Sequence, residues 1–286
     1  MTMQYKLTNG LITLSAESKG AETVSLLYRG KERLWMNDTG EWSGRAPVLF
    51  PVCGNCAVTV GGKDYPVAKH GFAKVSDFCV DERGEHFISF SMRSDAETKK
   101  QFPYDFKFTV VYRLCGNSAE ITYITENTGE ELLYFSCGGH ESFALDETIE
   151  NYEVRFEREE KLIALAHDGD GKLTGGKKLL SVNGVLPLKG EYFTRGNTLI
   201  FGNLESRKAT LYKKGGGAVA ATSFDGFGNF LLWKPERAKM LCMEPWLNLP
   251  DTAGDKREFS DKAGVVCVQP KESRKFVRVI TYYNVT

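Results

Sequence analysis

Short segments in which apolar and polar residues alternate, rich in β-branched and aromatic side chains, recur along the whole of this 286-residue chain. The first, residues 11–15, follows Asn9-Gly10, a pair typical of β-hairpin turns. Further segments of this kind occupy residues 24–28, 87–91, 106–112, 121–124, 199–201, 230–233, 265–268 and 276–280. Because side chains along a strand point alternately to opposite faces, such segments bury one face of each strand. The pattern predicts an all-β sandwich or barrel.

Helical pattern is scarce. Residues 94–101 begin with Ser94 and Asp95, which are good helix-capping residues, and stop before Pro103, so they predict one short helix. The sequence contains neither an internal repeat nor a low-complexity linker, and β-sandwiches of this length are often single domains. We therefore expect residues 1–286 to form one domain, a large antiparallel β-sandwich with few short helices.

The charged and apolar residues exclude several kinds of partner. Basic and acidic residues number 37 each, so the formal net charge is zero, and the basic stripe of a nucleic-acid binder is absent. No run approaches the roughly 18 consecutive apolar residues of a membrane span, and residues 1–6 do not resemble a signal peptide. The seven scattered cysteines fit reduced thiols better than a disulfide framework. We expect a cytoplasmic protein with a small, neutral partner.

Two sequence motifs suggest zinc, redox or calcium sites, but each lacks residues that such a site requires. Cys53 and Cys56 have the spacing of a zinc knuckle or a redox pair, yet no second such pair and no βαβ context accompany them. The segment 168–172 begins like a calcium loop but lacks two of the required ligands. His86 and His167 lie among charged turn residues, where we expect them to be solvated. We therefore predict no metal site.

A few reactive residues stand where the local sequence restricts the backbone. His70 and His140 each lie beside glycine in a break between strand segments, and imidazole titrates near neutrality. Glu244 ends an apolar strand, followed by a proline and Trp246, so burial should raise its pKa. Arg45 opens an apolar run bracketed by prolines. Structural roles are open as well: the histidines could stabilise turns, Glu244 could pair with Arg45 or a lysine, and Trp246 could belong to the core.

The order of these segments resembles that of one family. Arg-Ala-Pro-Val-Leu-Phe-Pro, His-Gly-Phe-Ala, Gly-Gly-His-x-x-Phe and Glu-Pro-Trp follow one another as in the aldose 1-epimerase (galactose mutarotase-like) family, and most of all as in its LacX-like branch. The similarity covers essentially the whole chain. It implies a galactose mutarotase-like supersandwich with its site on a concave sheet face. It also implies an isomerase that uses neither cofactor nor metal.

The resemblance further implies roles for individual residues. Glu244 would be the general base and His140 the general acid in interconverting the α and β anomers of a glucose- or galactose-like aldose. The two exchange roles on the return path, so we expect a glutamate pKa raised by burial and a histidine pKa near its reference value. His70 and Arg45 would bind sugar hydroxyls. The glycines beside the histidines would let the backbone and the imidazole approach the flat sugar ring.

Two further positions concern the substrate. Trp246 would be a platform for the apolar face of the sugar. Asn197 precedes the strand segment at residues 199–201, where relatives in this branch often carry an aspartate, and it would contact a sugar hydroxyl. Residues 53–56 stand where an arginine after a glycine is expected. Both departures leave the identity of the sugar open. We expect a monomer or a homodimer, between which the sequence does not decide.

Two other functions fit the same fold. A hexose-6-phosphate mutarotase would need clustered arginines for the phosphate, and the sequence around the motifs shows mainly Arg45. A non-catalytic carbohydrate-binding or sugar-sensing protein would bind the sugar without changing the rate of anomer exchange. The presence of both histidines and Glu244 favours catalysis, because binding alone needs no matched acid and base.

Overall fold

The computed structural model describes residues 2–284, most of whose regular structure is β-strand. Among these residues there is one α-helix, α1 (Ala96–Gln101), and there are short 3-10 helices at Ala73–Val75, Ile149–Asn151, Gly190–Gly196 and Phe259–Asp261. The strands are β1 Gln4–Thr8, β2 Ile12–Glu17, β3 Thr23–Tyr28, β4 Lys31–Glu32, β5 Val48–Leu49, β6 Val58–Val60, β7 Lys63–Tyr65, β8 Cys79–Arg83, β9 Phe87–Arg93, β10 Phe106–Cys115, β11 Ser118–Asn127, β12 Leu133–Phe135, β13 Gly138–Gly139, β14 Glu141–Ala144, β15 Tyr152–Phe156, β16 Leu162–His167, β17 Leu173–Ser181, β18 Val185–Pro187, β19 Leu199–Gly202, β20 Lys208–Lys213, β21 Gly217–Ser223, β22 Asn229–Trp233, β23 Met240–Trp246, β24 Val266–Val268 and β25 Ser273–Tyr282.

Two large antiparallel sheets pack face to face. One has nine strands in the order β18-β15-β20-β21-β25-β11-β10-β9-β8, and the other has eight, in the order β17-β16-β19-β22-β23-β13-β5 with β14 also paired to β23. Their inner faces interdigitate: the ring of Phe156 on β15 lies 5.9 Å from that of Phe201 on β19 and 5.7 Å from that of Phe230 on β22. Strands β1 to β4 form a smaller sheet. The prediction of an all-β sandwich with few short helices is confirmed.

The first hairpin forms where Asn9-Gly10 predicts it. β1 pairs with β2 in antiparallel register, and Gly10 has a φ of 85°. The side-chain oxygen of Asn9 accepts hydrogen bonds from the main-chain N–H groups of Leu11 and Ile12 at 3.1 and 2.8 Å. The asparagine therefore replaces main-chain partners that the turn cannot supply.

The predicted short helix is also present. The Asp95 carboxylate accepts hydrogen bonds from the N–H groups of Glu97 and Thr98 at 3.0 and 2.7 Å, and the Thr98 hydroxyl accepts one from the N–H of Asp95 at 2.8 Å. This reciprocal capping box satisfies main-chain donors that the first helical turn leaves free. The helix ends at Gln101, shortly before Pro103, as expected from the steric restriction that a proline places on the residue before it.

The described part of the chain shows the state of the cysteines and the length of the helices, on which the expectations about disulfides and membrane spans depend. No helix there is both long enough and apolar enough to cross a membrane. All seven cysteines are free thiols, and Cys53, Cys56, Cys137 and Cys242 are buried. Burial raises the pKa of Cys56 to about 12, so its thiol is protonated at neutral pH.

A buried ion pair joins the two large sheets. Glu141 on β14 and Arg278 on β25 form a bidentate carboxylate–guanidinium pair, and both side chains are almost fully buried. The guanidinium also donates to the hydroxyl of Tyr123 at 2.9 Å. Because each charge has lost its water, each depends on the other for its stabilisation.

We expect Glu141→Gln to lower the free energy of unfolding by about 3–5 kcal/mol, because it leaves the Arg278 charge buried without its partner. Urea denaturation measures this loss. As a control, Lys100→Ala removes the exposed ion pair with Glu97 and should change stability by only about 0.5 kcal/mol. Equal effects of the two substitutions would show that the inter-sheet pair does not stabilise the fold.

Candidate active site

The register of β23 brings the two predicted catalytic residues together. β14 runs antiparallel to β23 with Glu141 opposite Met243, which puts His140 opposite Glu244 on the other face of the sheet. Directly opposite residues of an antiparallel pair have neighbouring side chains on one face. Nε2 of His140 accordingly lies 3.3 Å from Oε2 of Glu244.

The pair opens onto a cavity of about 530 Å³. This volume lies within the range of about 300–1,000 Å³ that is usual for small-molecule sites. Trp42, Trp233 and Trp246 line the cavity together with polar residues from several elements: Glu22, Lys69, His70, Lys74 and Thr198. Aromatic surfaces combined with a few convergent polar groups are suited to binding a small polar ring.

Aromatic rings hold the His140 imidazole in place. Trp42 stacks on it with ring centroids 5.1 Å apart, and Trp233 meets it edge-on at 5.7 Å. The rings of Trp42 and Trp233 are in turn in T-shaped contact at 5.3 Å. His70 lies against the other predicted residues, 5.6 Å from His140 and 5.2 Å from Trp246. The structure therefore brings His70, His140, Glu244 and Trp246 into one site.

Burial sets the protonation of the His140–Glu244 pair, whose side chains are only 11% and 1% exposed. Desolvation raises the pKa of Glu244 well above its usual value, against the opposing effects of Lys69 and Trp246. Desolvation also lowers the pKa of His140 to about 3, with a further contribution from Lys69 and Lys74. Both shifts favour the uncharged form of each group. The expectation of a His140 pKa near its reference value is wrong, because the imidazole is buried.

His70 presents a fixed hydrogen-bond donor to the cavity. Its main-chain N–H donates to the carbonyl of Gly54 at 2.9 Å, and its Nδ1 accepts from the N–H of Gly54 at 3.1 Å. Burial and the nearby His140 lower its pKa well below the usual value, so the ring is neutral. Since Nδ1 accepts, the proton of the neutral ring is on Nε2. The segment 53–56, set aside above as a redox or zinc motif, thus orients His70.

The glycines beside the histidines have a different reason from the predicted one. A Cβ on Gly71 would lie 2.1 Å from the carbonyl oxygen of Phe50, and one on Gly139 would lie 2.5 Å from Cζ of Arg278. Both neighbours are buried protein atoms. The prediction that these glycines make room for the sugar is therefore wrong: they let strands and loops pack closely around the site.

Arg45 does not line the cavity, although it was predicted to bind a sugar hydroxyl. Gly44 and Pro47 nearby do line it, whereas the Arg45 guanidinium donates to the carbonyl of Ser43 at 3.5 Å and interacts electrostatically with Glu22. Nor does Arg45 form an ion pair with Glu244. Among residues 2–284, the basic side chain that lies within 4.0 Å of the Glu244 carboxyl is His140. The guanidinium is therefore assigned neither of the roles considered for it.

Asn197 is also turned away from the cavity, while the residues on either side of it, Gly196 and Thr198, line it. The Asn197 amide donates to the carbonyl of Tyr192 at 2.6 Å. His167, expected to be solvated, is half-buried, and its Nε2 accepts from the N–H of Thr198 at 3.0 Å. His167 therefore supports the cavity wall, and that expectation is wrong.

The sequence analysis missed several cavity residues, among them Glu22, Trp42, Lys69, Lys74 and Trp233. Lys69 and Lys74 flank the motif around His70, so the charges beside that motif could have indicated them. Glu22, Trp42 and Trp233 come from separate parts of the chain and have no local signal.

The chain matches the sequence model of a family described as Aldose 1-epimerase over residues 3–168, more than half of its length. The chain belongs to the aldose 1-epimerase family. This agrees with the resemblance carried by the four motifs, three of which lie within the matched residues, whereas Glu-Pro-Trp at residues 244–246 lies beyond them.

Relatives of this aldose 1-epimerase family member span its full length. The chromosomal Protein LacX of Lactococcus lactis subsp. lactis is 27% identical over 300 residues, which cover 99% of this chain and 100% of LacX. The structure of a galactose mutarotase related enzyme from Lactobacillus acidophilus has a TM-score of 0.92 at 25% identity, covering 99% of this chain and 98% of that one. A galactose mutarotase-like protein from Lactobacillus casei ATCC 334 also gives 0.92, at 24% identity and with 98% and 100% covered. The galactose mutarotase-like fold and the LacX-like resemblance are confirmed.

The buried histidines should not titrate near their ordinary pKa. We expect the ring signals of His140 in NMR spectra to keep neutral-imidazole shifts from about pH 8 to about pH 5, and those of His70 to titrate below the ordinary imidazole pKa, because burial disfavours the imidazolium. The variants His70→Asn and His140→Asn assign the signals. A titration midpoint near 6.5 for either residue would contradict the effect of burial derived above.

Proposed function

We propose that this protein is a mutarotase, an aldose 1-epimerase that interconverts the α and β anomers of a free glucose- or galactose-like aldose. The observation that carries the proposal is the buried pair of Glu244 and His140, whose facing atoms lie 3.3 Å apart beside a tryptophan-lined cavity. A carboxyl and an imidazole that reach the same ligand can remove a proton from one oxygen and give a proton to another. Opening a sugar ring requires this exchange and no change of oxidation state.

The proposed reaction is balanced in protons. Glu244 removes the proton of the C1 hydroxyl while His140 protonates the ring oxygen, so the C1–ring oxygen bond breaks and the open-chain aldehyde forms. After rotation about C1–C2, the ring closes on the other face of the carbonyl with the two residues in reversed roles. The pair holds one proton throughout, first on His140 and then on Glu244, so its net charge stays at zero.

Burial favours the open-chain side of this exchange. Once the ring has opened, the carboxyl is protonated and the imidazole is neutral, which is the state that desolvation favours at Glu244 and His140. Before ring opening the reaction requires the proton on His140, so the reactive form of the pair is the charged one, which burial disfavours. Burial therefore lowers the energy of the pair after the proton exchange relative to its energy before the exchange.

The cavity offers complementary contacts to a sugar ring. The Nε2–H of His70 would donate to a sugar oxygen, in agreement with its predicted role. Trp246, with Trp42 and Trp233, would cover the apolar faces formed by the ring C–H groups. We assign no sugar contact to Arg45 or Asn197.

We expect Glu244→Gln to reduce the rate of anomer exchange about 10²–10⁴-fold or more, because the amide cannot take the C1 hydroxyl proton. Polarimetry of freshly dissolved α-glucose and α-galactose measures the rate. Sugar affinity, measured by quenching of tryptophan fluorescence, should be retained, because the amide keeps the shape of the carboxyl. Exchange at the wild-type rate would show that Glu244 is not the base.

His140→Asn should reduce the rate by a similar factor, because the ring oxygen loses its proton donor. His70→Asn should raise KM at least as much as it lowers kcat, because His70 is proposed to bind rather than to transfer protons. The matched control is His86→Asn, since the His86 side chain is exposed as predicted, at 45%. A His140→Asn variant as active as the His86→Asn control would rule out the proposed acid.

A hexose-6-phosphate is a second candidate substrate, favoured by Lys69 and Lys74. Both lysines line the cavity, and among residues 2–284 neither has a carboxylate within 4.0 Å. We expect Lys69→Met and Lys74→Met to lower kcat/KM for glucose 6-phosphate much more than for glucose if the phosphate is bound here. Equal changes for the two sugars would leave the free aldose as the substrate.

A sugar-binding protein without catalysis is the third possibility, and the same assays separate it from the enzymes. It would quench tryptophan fluorescence with one of these sugars but leave the rate of anomer exchange unchanged. We further propose a cytoplasmic, single-domain protein, active as a monomer or a homodimer.

A further inference from the structure

The small N-terminal sheet contributes a wall of the cavity through the turn between β2 and β3. Glu22 lies in this turn and lines the cavity, although the proposed proton transfers do not use it. The turn packs on the 3-10 helix at Ala73–Val75, because the N–H of Gly20 donates to the carbonyl of Ser76 at 2.7 Å. This helix contains Lys74, so Glu22 and Lys74 belong to neighbouring parts of the same wall.

One carboxylate oxygen of Glu22 is fixed by the main chain. Oε1 accepts hydrogen bonds from the N–H groups of Arg45 and Ala46 at 2.8 and 2.9 Å. Two donors from successive peptide groups fix the orientation of the carboxylate before any ligand arrives. A ligand that bonds to it would therefore pay little for ordering the side chain.

The second oxygen, Oε2, receives no hydrogen bond from residues 2–284, and no lysine or arginine nitrogen among them lies within 4.0 Å of the carboxylate. Lys74, on the neighbouring 3-10 helix, donates to the carbonyl of Lys69 at 2.8 Å, and the positive charge that acts on Glu22 is that of Arg45. Burial raises the pKa of Glu22, against the lowering effects of its two main-chain hydrogen bonds and of the Arg45 charge. A partly desolvated acceptor without a donor is stabilised by a ligand that supplies one.

We propose that Oε2 of Glu22 accepts a hydrogen bond from a sugar hydroxyl other than the one at C1, which makes Glu22 a specificity-determining residue of the cavity. This inference rests on the proposed function. A hydroxyl suits the position because it donates, whereas a phosphate or carboxylate substituent would be repelled by Glu22. The contact involves no reacting atom, so it should affect KM more than kcat.

The variant Glu22→Gln tests this proposal. It keeps an oxygen for the N–H groups of Arg45 and Ala46 but removes the charge and one acceptor. Glu17→Gln is the matched control, since it removes the same charge at a neighbouring position that does not line the cavity. Anomer exchange is measured for glucose and galactose and for their deoxy derivatives lacking the hydroxyl at C2, C3, C4 or C6, and urea unfolding is measured for all variants.

We expect wild-type protein to prefer the parent sugar over one deoxy derivative by about tenfold to a hundredfold, the usual range for a hydrogen bond to a charged group. In Glu22→Gln this preference should fall to a few-fold, with KM raised and kcat nearly unchanged, while Glu17→Gln behaves as wild type. A uniform loss for every sugar would show that Glu22 only supports the Arg45–Ala46 segment. No loss, or the same loss in Glu17→Gln, would equally overturn the proposal.

The affinities of the wild-type protein and both variants for the same sugars are also measured by tryptophan fluorescence. These affinities separate this inference from the proposed function. If wild-type protein binds sugar but does not exchange anomers, the mutarotase proposal fails, and the affinities alone decide the role of Glu22. If it exchanges anomers but Glu22→Gln loses no selectivity, only the Glu22 proposal fails. If it binds none of the sugars, both proposals fail.

Discussion

The antiparallel register between β14 and β23 is the constraint on which the candidate site depends. It places His140 and Glu244 on one face of the eight-stranded sheet, with their side-chain atoms 3.3 Å apart. Side chains along a strand alternate between the two faces of the sheet. If β14 or β23 slipped by one residue, its proposed catalytic side chain, His140 or Glu244, would point into the interior of the sandwich. The inward-facing neighbours Glu141 and Met243 strongly oppose such a slip, since both are buried in the packed interior. The chemistry proposed on the outer face is thus secured by packing on the inner one.

Electrostatics links the two faces of this sheet. His140 faces the cavity, and Glu141, the next residue, pairs with Arg278 of the opposite sheet beneath Gly139. The pair is fully desolvated, so its net stabilisation is modest while the cost of breaking it is large. Its negative member also contributes to the raised pKa of Glu244. An interaction between the sheets therefore both holds the strand segment beside His140 and tunes the carboxyl opposite it.

The cavity combines a sheet floor with walls from distant segments. His70 is held by the main chain of Gly54, and Glu22 comes from the small N-terminal sheet. Trp42 and Trp233 enclose His140, and this enclosure contributes to the burial that lowers its pKa to about 3. In the proposed mechanism, the protonation state that this burial favours is the one that the pair reaches after the sugar ring has opened. In this proposal, the packing of the tryptophans on His140 therefore affects its proton transfer through the pKa of the imidazole.

Local interactions in this chain could be predicted from the residues alone. Alternating segments gave the all-β class, Asn9-Gly10 gave the first hairpin, and Asp95 gave the start of the helix, because each depends on a few adjacent residues. Four ordered motifs gave the family and the grouping of His70, His140, Glu244 and Trp246. The tertiary structure decided which neighbours reach the cavity: Glu22 does, and Arg45 and Asn197 do not. The physical reason is that strand register and long-range burial fix the direction of a side chain and the pKa of its group.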